Sequence, residues 1–96
     1  MANKIEIKYC TKCRWLMRSA WMAQELLTTF DGDIHEVSLL PGTDGLFEII
    51  ANGHRIWSRK ERGGFPEITE LKQIVRDAIV PNKDLGCIDR KVTKKL

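Results

Sequence analysis

Apolar and charged side chains alternate along the first ten residues of the chain. Between positions 4 and 9 the apolar members are Ile5, Ile7 and Tyr9, and the charged members are Lys4, Glu6 and Lys8. Strict alternation is typical of a β-strand with one face in a core and the other in water. A shorter alternation, in which Val37 and Leu39 are apolar, predicts a second strand over residues 34–40.

From residue 11 onward the apolar positions recur every three or four residues. The series consists of Leu16, Ala20, Ala23, Leu27 and Phe30. This spacing predicts a helix over residues 11–30, with Trp21 in the core and Asp31-Gly32-Asp33 as its end. A strand, a helix and a strand in this order predict a right-handed crossover between two parallel strands.

Asn52-Gly53 lies between two apolar runs, residues 46–51 and 54–58. This dipeptide favours a two-residue hairpin turn, which pairs Ala51 with His54 and Ile49 with Ile56. One face of the hairpin then carries Phe47, Ile49, Ala51 and Ile56. The other face carries Glu48, Ile50, Arg55 and Trp57.

A second helix is predicted to start at Pro66 and to end before Pro81. Its apolar stripe consists of Ile68, Leu71, Val75, Ala78 and Ile79. Because the strands have one polar face, both helices must cover the opposite face. We therefore expect an α/β fold of order βαβββα, with a four-stranded mixed sheet and both helices on one side. The polar face, with Glu6, Glu36, Glu48 and Arg55, is left for water, for a partner or for a homo-oligomer.

Size and charge narrow the possible classes of function. The 96 residues are 43% hydrophobic and 30% charged, typical of a soluble globular domain, and no apolar run is long enough for a membrane span. The net charge of +3 belongs to residues 82–96, a basic C-terminal tail, whereas residues 1–81 form a balanced domain. This distribution argues against nucleic-acid binding. We expect a cytoplasmic protein, because no secretory signal pattern precedes the first strand.

Cys10 and Cys13 are placed after the first strand, at the predicted N-terminus of the first helix. A helix N-terminus favours a thiolate, and two intervening residues let the sulfurs join in a disulfide. The pair is therefore a candidate redox site. Lys12 and Arg14 are candidates to stabilise the thiolate and to attract an anionic thiol such as glutathione. Alternatively, they are helix-forming residues that face solvent.

Other roles for these residues stay open. A structural zinc site would need Cys87, His35 and His54 to converge on the cysteine pair. Cys87 by itself is a resolving thiol, an oligomer link or an incidental residue. Trp15 and Trp57 are either core residues or exposed partner contacts.

Tyr9-Cys10-Thr11-Lys12-Cys13, Gly45-Leu46-Phe47-Glu48 and Gly63-Gly64-Phe65-Pro66 together resemble the selenoprotein W or Rdx family. The resemblance covers about residues 4–81. It implies a thioredoxin-like fold with a redox pair after the first strand, in which Cys13 occupies the position that is selenocysteine in some members. By analogy with thioredoxin-like proteins, Cys10 is favoured as the attacking thiol. Reducing power would come from glutathione or a thioredoxin system, and no bound cofactor is expected.

Two functions are compatible with this sequence. The first is a small thiol-disulfide redox protein that acts on an oxidised protein or small-molecule thiol partner through Cys10 and Cys13. The second is a protein-interaction module whose cysteines serve only as a redox switch or as a glutathionylation site.

Overall fold

The computed structural model describes residues 2–86 of the protein. Its elements, in chain order, are β1 (Lys4–Cys10), α1 (Leu16–Thr29), β2 (Glu36–Gly42), β3 (Phe47–Ala51), β4 (His54–Ser58), α2 (Arg59–Arg62) and α3 (Ile68–Ile79). The predicted order of strands and long helices is confirmed. The four-residue helix α2, between β4 and α3, was not predicted from the sequence.

The four strands form one mixed sheet in the order β2-β1-β3-β4. β1 runs parallel to β2 and antiparallel to β3, and β3 pairs with β4 as a hairpin. Ile5 is placed between Val37 and Ala51, so apolar residues of three strands share one face. That face forms a single core with buried residues of both long helices, including Met22, Leu26, Leu71 and Val75. Both long helices therefore cover the same side of the sheet, as the alternation predicted.

The buried side of α1 differs from the predicted stripe. Its buried residues are Ser19, Met22, Ala23 and Leu26. Leu16 and Leu27 are 48% and 42% exposed, and Trp21, expected in the core, is 46% exposed. The prediction was wrong for these three residues and correct for Ala23 and Phe30, which are buried. α1 carries apolar residues on two neighbouring stripes, and periodicity alone does not decide which stripe meets the sheet.

The hairpin contains a bulge that changes the position of one tryptophan. Ala51 pairs with His54 as predicted, but Ile49 pairs with Trp57 rather than with Ile56. Ile56 is the extra residue of β4, and the shift turns the next side chain to the opposite face. Trp57 is consequently buried in the core and 6% exposed. Its predicted place on the polar face was wrong.

α3 begins at Ile68, two residues after Pro66, and has Glu70 in its first turn. Leu71 and Val75 are fully buried, whereas Ala78 of the predicted stripe is exposed. The chain then continues beyond the predicted domain boundary at residue 81. Leu85 joins the core, and Lys83 pairs with Asp33 at 3.0 Å. The remainder of the predicted basic tail, including Cys87, lies outside the described residues.

The polar sheet face carries charges that pair within the chain. Lys4 contacts Glu36 at 3.8 Å, and Arg55 contacts Glu48 at 3.2 Å and also pairs with Glu61. Over residues 2–86, no helix has both the length and the apolar character needed to cross a membrane.

Candidate functional site

The two cysteines of the CxxC motif lie in contact at the end of β1. The Sγ atoms of Cys10 and Cys13 are 2.8 Å apart, and the Cys13 thiol donates a hydrogen bond to the Cys10 sulfur. Both are free thiols. Cys10 is only 2% exposed, whereas Cys13 lies open to solvent. The pair therefore has one sheltered sulfur and one that a partner can reach.

The loop from Thr11 to Arg14 holds this contact, and it is not part of α1. The N–H of Arg14 donates to the carbonyl of Thr11 at 3.0 Å, which closes a turn around the motif. Arg14 has a φ of 63°, a left-handed conformation that no α-helix accommodates. The helix starts only at Leu16. The prediction that the cysteines form the helix N-terminus was therefore wrong.

Backbone N–H groups still surround the Cys10 sulfur, but loops supply them. The backbone N–H groups of Gly45, Cys13 and Lys12 act on this sulfur and lower the pKa of Cys10. Gly45 arrives from the β2–β3 turn, where Asp44 and Gly45 have φ values of 61° and 72°. Successive N–H groups that point at one atom form an anion-binding concavity. This cradle takes the part that the sequence had assigned to a helix dipole.

The protonation of the two thiols is coupled. The hydrogen bond from Cys13 is the largest influence on Cys10, and with the surrounding N–H groups it lowers the pKa of Cys10. The pKa of Cys13 is raised, first because its proton is held by the Cys10 sulfur and then by desolvation and by the charge of Cys10. The backbone of Gly45 and the guanidinium of Arg59 act in the opposite direction on Cys13. The first proton of the pair thus leaves more easily than the second.

Trp15 connects the cysteine loop to an aromatic cluster. Its ring meets Phe65 edge-on at 4.9 Å and Phe47 at 6.5 Å between ring centroids. Two guanidinium groups stack on this cluster: Arg59 lies 4.9 Å from the Trp15 ring, and Arg18 lies 4.3 Å from the Phe65 ring. Trp15 is half-buried and has a packing role, so its predicted role as a partner contact stays a prediction.

Trp57, the other tryptophan proposed as a partner contact, is buried away from any partner. Its Nε1–H donates to the carbonyl of Gly64 at 2.9 Å, so the indole is also satisfied by hydrogen bonding. The prediction was wrong because the bulge in β4 turned this side chain inward.

The charged residues that were predicted to act on the cysteine thiols differ from the one whose charge acts on Cys13 in the structure. Lys12 and Arg14 are exposed on the loop, and Lys12 reaches Cys10 through its backbone rather than through its ammonium group. The stabilising role of their side-chain charges stays a prediction. Arg59, on the unpredicted helix α2, is the cation whose charge partly opposes the rise in the pKa of Cys13. No local sequence pattern identified it, because its proximity depends on the path of the chain after β4.

An open cavity of about 380 Å³ adjoins the cysteine loop. Its lining residues are Tyr9, Thr11, Arg14, Leu16 and Met17. Met17 is 83% exposed, which is unusual for a large apolar side chain. A partner that approaches Cys13 therefore has an apolar recess beside it.

The zinc alternative finds no support in the described part of the chain. His35 accepts a hydrogen bond from the backbone of Asn3, and His54 follows the hairpin turn. Both lie near the start of β1, whereas Cys10 ends that strand. No group of three His, Cys, Asp or Glu side chains suited to a metal ion occurs among residues 2–86.

Comparison with known proteins agrees with this arrangement. The model of the Rdx family matches residues 4–77. The chain belongs to the Rdx family. Among solved structures, a selenoprotein W-related protein from Vibrio cholerae is 55% identical, with a TM-score of 0.79, and the match covers 81% of this chain and 98% of that one. A protein from Bordetella parapertussis is 56% identical, with a TM-score of 0.80, over 82% of this chain and 100% of that one. These neighbours confirm the α/β, thioredoxin-like fold of this Rdx protein.

Curated relatives are more distant. Migration and invasion enhancer 1 of Bos taurus is 35% identical over 75 residues, which are 78% of this chain and 64% of that protein. The same protein of Mus musculus is 35% identical over 74 residues, 77% of this chain and 63% of that one. The Rdx chain thus spans less than two thirds of the length of these relatives.

Proposed function

We propose that this Rdx protein is a thiol-disulfide redox protein in which Cys10 and Cys13 alternate between dithiol and disulfide. The observation that carries the proposal is the 2.8 Å contact between their sulfur atoms. At this separation a small rotation of the side chains is enough to form the bond. Membership of a family with selenoprotein W-related neighbours supports the same conclusion.

The exposure of the two sulfurs favours Cys13 as the attacking thiol. Its thiolate attacks one sulfur of a partner disulfide, forms a mixed disulfide and releases one partner thiolate. Cys10 then loses its proton and attacks the Cys13 sulfur, so that the intramolecular disulfide forms and the second partner thiolate leaves. Two electrons pass to the partner, and the two released thiolates take up the two protons. The sequence favoured Cys10 as attacker, but Cys10 is 2% exposed.

Regeneration requires an external reductant. A thiol attacks the exposed Cys13 sulfur of the disulfide, and Cys10 leaves. A second thiol then attacks the external sulfur of the resulting mixed disulfide, so that Cys13 is released and the two external thiols end as one disulfide. The lowered pKa of Cys10 makes it a good leaving group. Glutathione or a thioredoxin system in the cytoplasm would supply the electrons, and the protein itself binds no cofactor in this scheme.

The test is to trap each stage of the reaction. Reduced protein is mixed with a small aromatic disulfide, quenched with acid, alkylated and mapped by mass spectrometry. Cys13→Ser should abolish the mixed disulfide, while Cys10→Ser should accumulate it on Cys13. Cys87→Ser is the matched control and should behave as the wild type. If mild oxidation forms no bond between Cys10 and Cys13, the proposal is wrong.

A second function has one observation in its favour. Leu16, Met17 and Trp21 are large apolar side chains of α1 that are 46% to 83% exposed, close to the cavity beside the cysteines. Such a patch is typical of a protein-binding surface. In this alternative the cysteines serve only as a redox switch or glutathionylation site. A wild type that catalyses no disulfide reduction, together with a double serine variant that retains its partners, would favour it.

Assembly through the polar sheet face also stays a proposal. Sedimentation velocity of the wild type at low and high salt tests it. A homo-oligomer held by these charges should dissociate as salt is added.

A further inference from the structure

The structure and the proposed reaction place the negative charge of the cysteine pair on different sulfurs. The N–H cradle and the Cys13 hydrogen bond favour negative charge on Cys10, the sheltered sulfur. The proposed reaction begins with negative charge on Cys13, the exposed sulfur. Because the two sulfurs are in hydrogen-bond contact, one proton can pass between them without any change in the net charge of the pair. A group outside the cradle is needed to favour the Cys13 thiolate.

Arg59 is held in a position to supply that influence. Its guanidinium stacks 4.9 Å from the Trp15 ring and 5.7 Å from the Phe65 ring, and Trp15 follows Cys13 by two residues. Its Nε atom is buried and has no hydrogen-bond partner. Stacking thus fixes this cation next to the cysteine loop, and in the part of the chain that the structure describes no carboxylate pairs with it.

We propose that Arg59 is a positioning residue that shifts the shared negative charge of the cysteine pair onto Cys13. The inference rests on the proposed function, in which Cys13 attacks. In the step itself, the proton of Cys13 moves to the Cys10 sulfur, and the thiolate that results on Cys13 is stabilised by the fixed guanidinium. No electron is transferred until this thiolate meets an oxidised partner.

Other charged groups surround the pair, and their side chains are more exposed than that of Arg59. Lys12 and Arg14 are exposed on the loop itself, and Asp44 is exposed on the β2–β3 turn. Arg18, on α1, stacks on Phe65. Exposed side chains are screened by water and salt, so their effect on a thiol is small. The partly buried, stacked Arg59 retains more of its field, and its charge opposes the rise in the pKa of Cys13 that Cys10 and desolvation cause.

The experiment isolates Cys13 in a Cys10→Ser, Cys87→Ser background. The ultraviolet absorbance of the thiolate and the rate of alkylation by iodoacetamide are followed against pH. Arg59→Gln removes the charge, and Arg59→Lys keeps it without the planar stack. Arg62→Gln is the matched control, because Arg62 belongs to the same short helix but stacks 4.5 Å from the ring of Trp57.

Arg59→Gln should raise the pKa of Cys13 and slow its alkylation at neutral pH roughly threefold to tenfold. Arg59→Lys should recover part of this loss, and Arg62→Gln should leave the pH profile in place. High salt should leave most of the difference between the parent protein and Arg59→Gln, because the charge of a partly buried, stacked guanidinium is screened less than that of an exposed one. Equal losses from Arg59→Gln and Arg62→Gln, or an unmoved pH profile in Arg59→Gln, would overturn the inference.

If Arg59→Gln folds poorly, salt still tests the inference in the parent protein: an alkylation rate of Cys13 that salt strongly lowers would assign the effect to the exposed Lys12 and Arg14 and overturn the role of Arg59. The thiolate titration is also independent of turnover. It can therefore support the role of Arg59 when the protein reduces no disulfide, and it can refute that role when the protein does.

Discussion

Two thiols that share a proton titrate as one unit, and their separate pKa values describe the pair. Cys10 loses its proton more easily than an isolated cysteine because Cys13 and the loop amides donate to its sulfur. Cys13 then holds its own proton more strongly, chiefly through the same contact. Both effects depend on a single sulfur-sulfur hydrogen bond, so they appear and disappear together.

This coupling has a consequence for stability against pH. In the unfolded chain both thiols have the ordinary pKa of 9.0. Below that pH the folded pair has already lost a proton that the unfolded chain keeps, so stability rises with pH. Above it the folded pair keeps a proton that the unfolded chain has lost, so stability falls. We expect the contribution of the pair to be greatest near pH 9.0.

Urea unfolding of the reduced wild type and of a Cys10→Ser, Cys13→Ser variant, at a series of pH values, measures this contribution. The difference between their free energies of unfolding should pass through a maximum. A flat difference between neutral and strongly alkaline pH would show that the thiols are uncoupled.

The sequence predicted these two residues but not their division of roles. Spacing is enough to place two thiols near each other. It does not reveal which one is sheltered, because that depends on Arg14 adopting a left-handed conformation and on Gly45 arriving from a distant turn. Both are tertiary features.

At the scale of elements, strands with strict alternation were predicted reliably. β1 presents the expected face because a period of two leaves no ambiguity about which of its side chains are buried. α1 was predicted less well, since its two apolar stripes both satisfy helical spacing. The residue range of β4 was predicted correctly, but the face on which its later side chains lie was not. A bulge is not visible in the pattern of apolar residues.

The two tryptophans with opposite outcomes provide a test at this scale. Trp57→Ala should lower the free energy of unfolding by about 3–5 kcal/mol, because it opens a cavity in the core and leaves the Gly64 carbonyl without its donor. Trp21→Ala, at a 46% exposed position of α1, should cost less than about 1 kcal/mol.

Chemical denaturation of both variants, with the wild type alongside, gives the two values. Equal losses would mean that the bulge is absent in solution and that Trp57 lies on the polar face, as the unbroken hairpin register implied.

At the scale of the whole molecule, an ion pair between a buried lysine and a glutamate that is 37% exposed connects the two long helices on the covered side of the sheet. Lys72 of α3 donates to Glu25 of α1 at 2.9 Å, and its side chain is only 7% exposed. A buried ion pair often contributes little net stability, because desolvation offsets the attraction. The apolar stem of the lysine contributes packing in addition.

We expect Lys72→Met, which keeps the stem, to remain within about 1 kcal/mol of the wild type. Lys72→Ala, which removes the stem as well, should lose about 1–3 kcal/mol. Thermal and urea unfolding of the two variants distinguish packing from charge. If Lys72→Met is as damaging as Lys72→Ala, charge pairing is the larger contribution.

The overall architecture followed from the sequence because it depends on few, repeated signals. The alternation of apolar and polar residues predicted the strands, and Asn52-Gly53 predicted the hairpin. The polar face of the strands predicted that both helices lie on one side of the sheet. The short helix α2 had no such signal, and Arg59 came to the site with it. Residues that act at a distance from their own segment are the ones that a local pattern does not reveal.

The backbone N–H of Gly45 meets a different charge in the reduced and in the oxidised state of the cysteine pair. It lies near both sulfurs in the β2–β3 turn, where it faces a negative charge when the reduced pair has lost one proton and a neutral bridge once the disulfide has formed. Oxidation therefore weakens the electrostatic interaction between this turn and the cysteine loop, and reduction restores it. The β2–β3 turn beside the cysteine loop is thereby held differently in the reduced and in the oxidised protein.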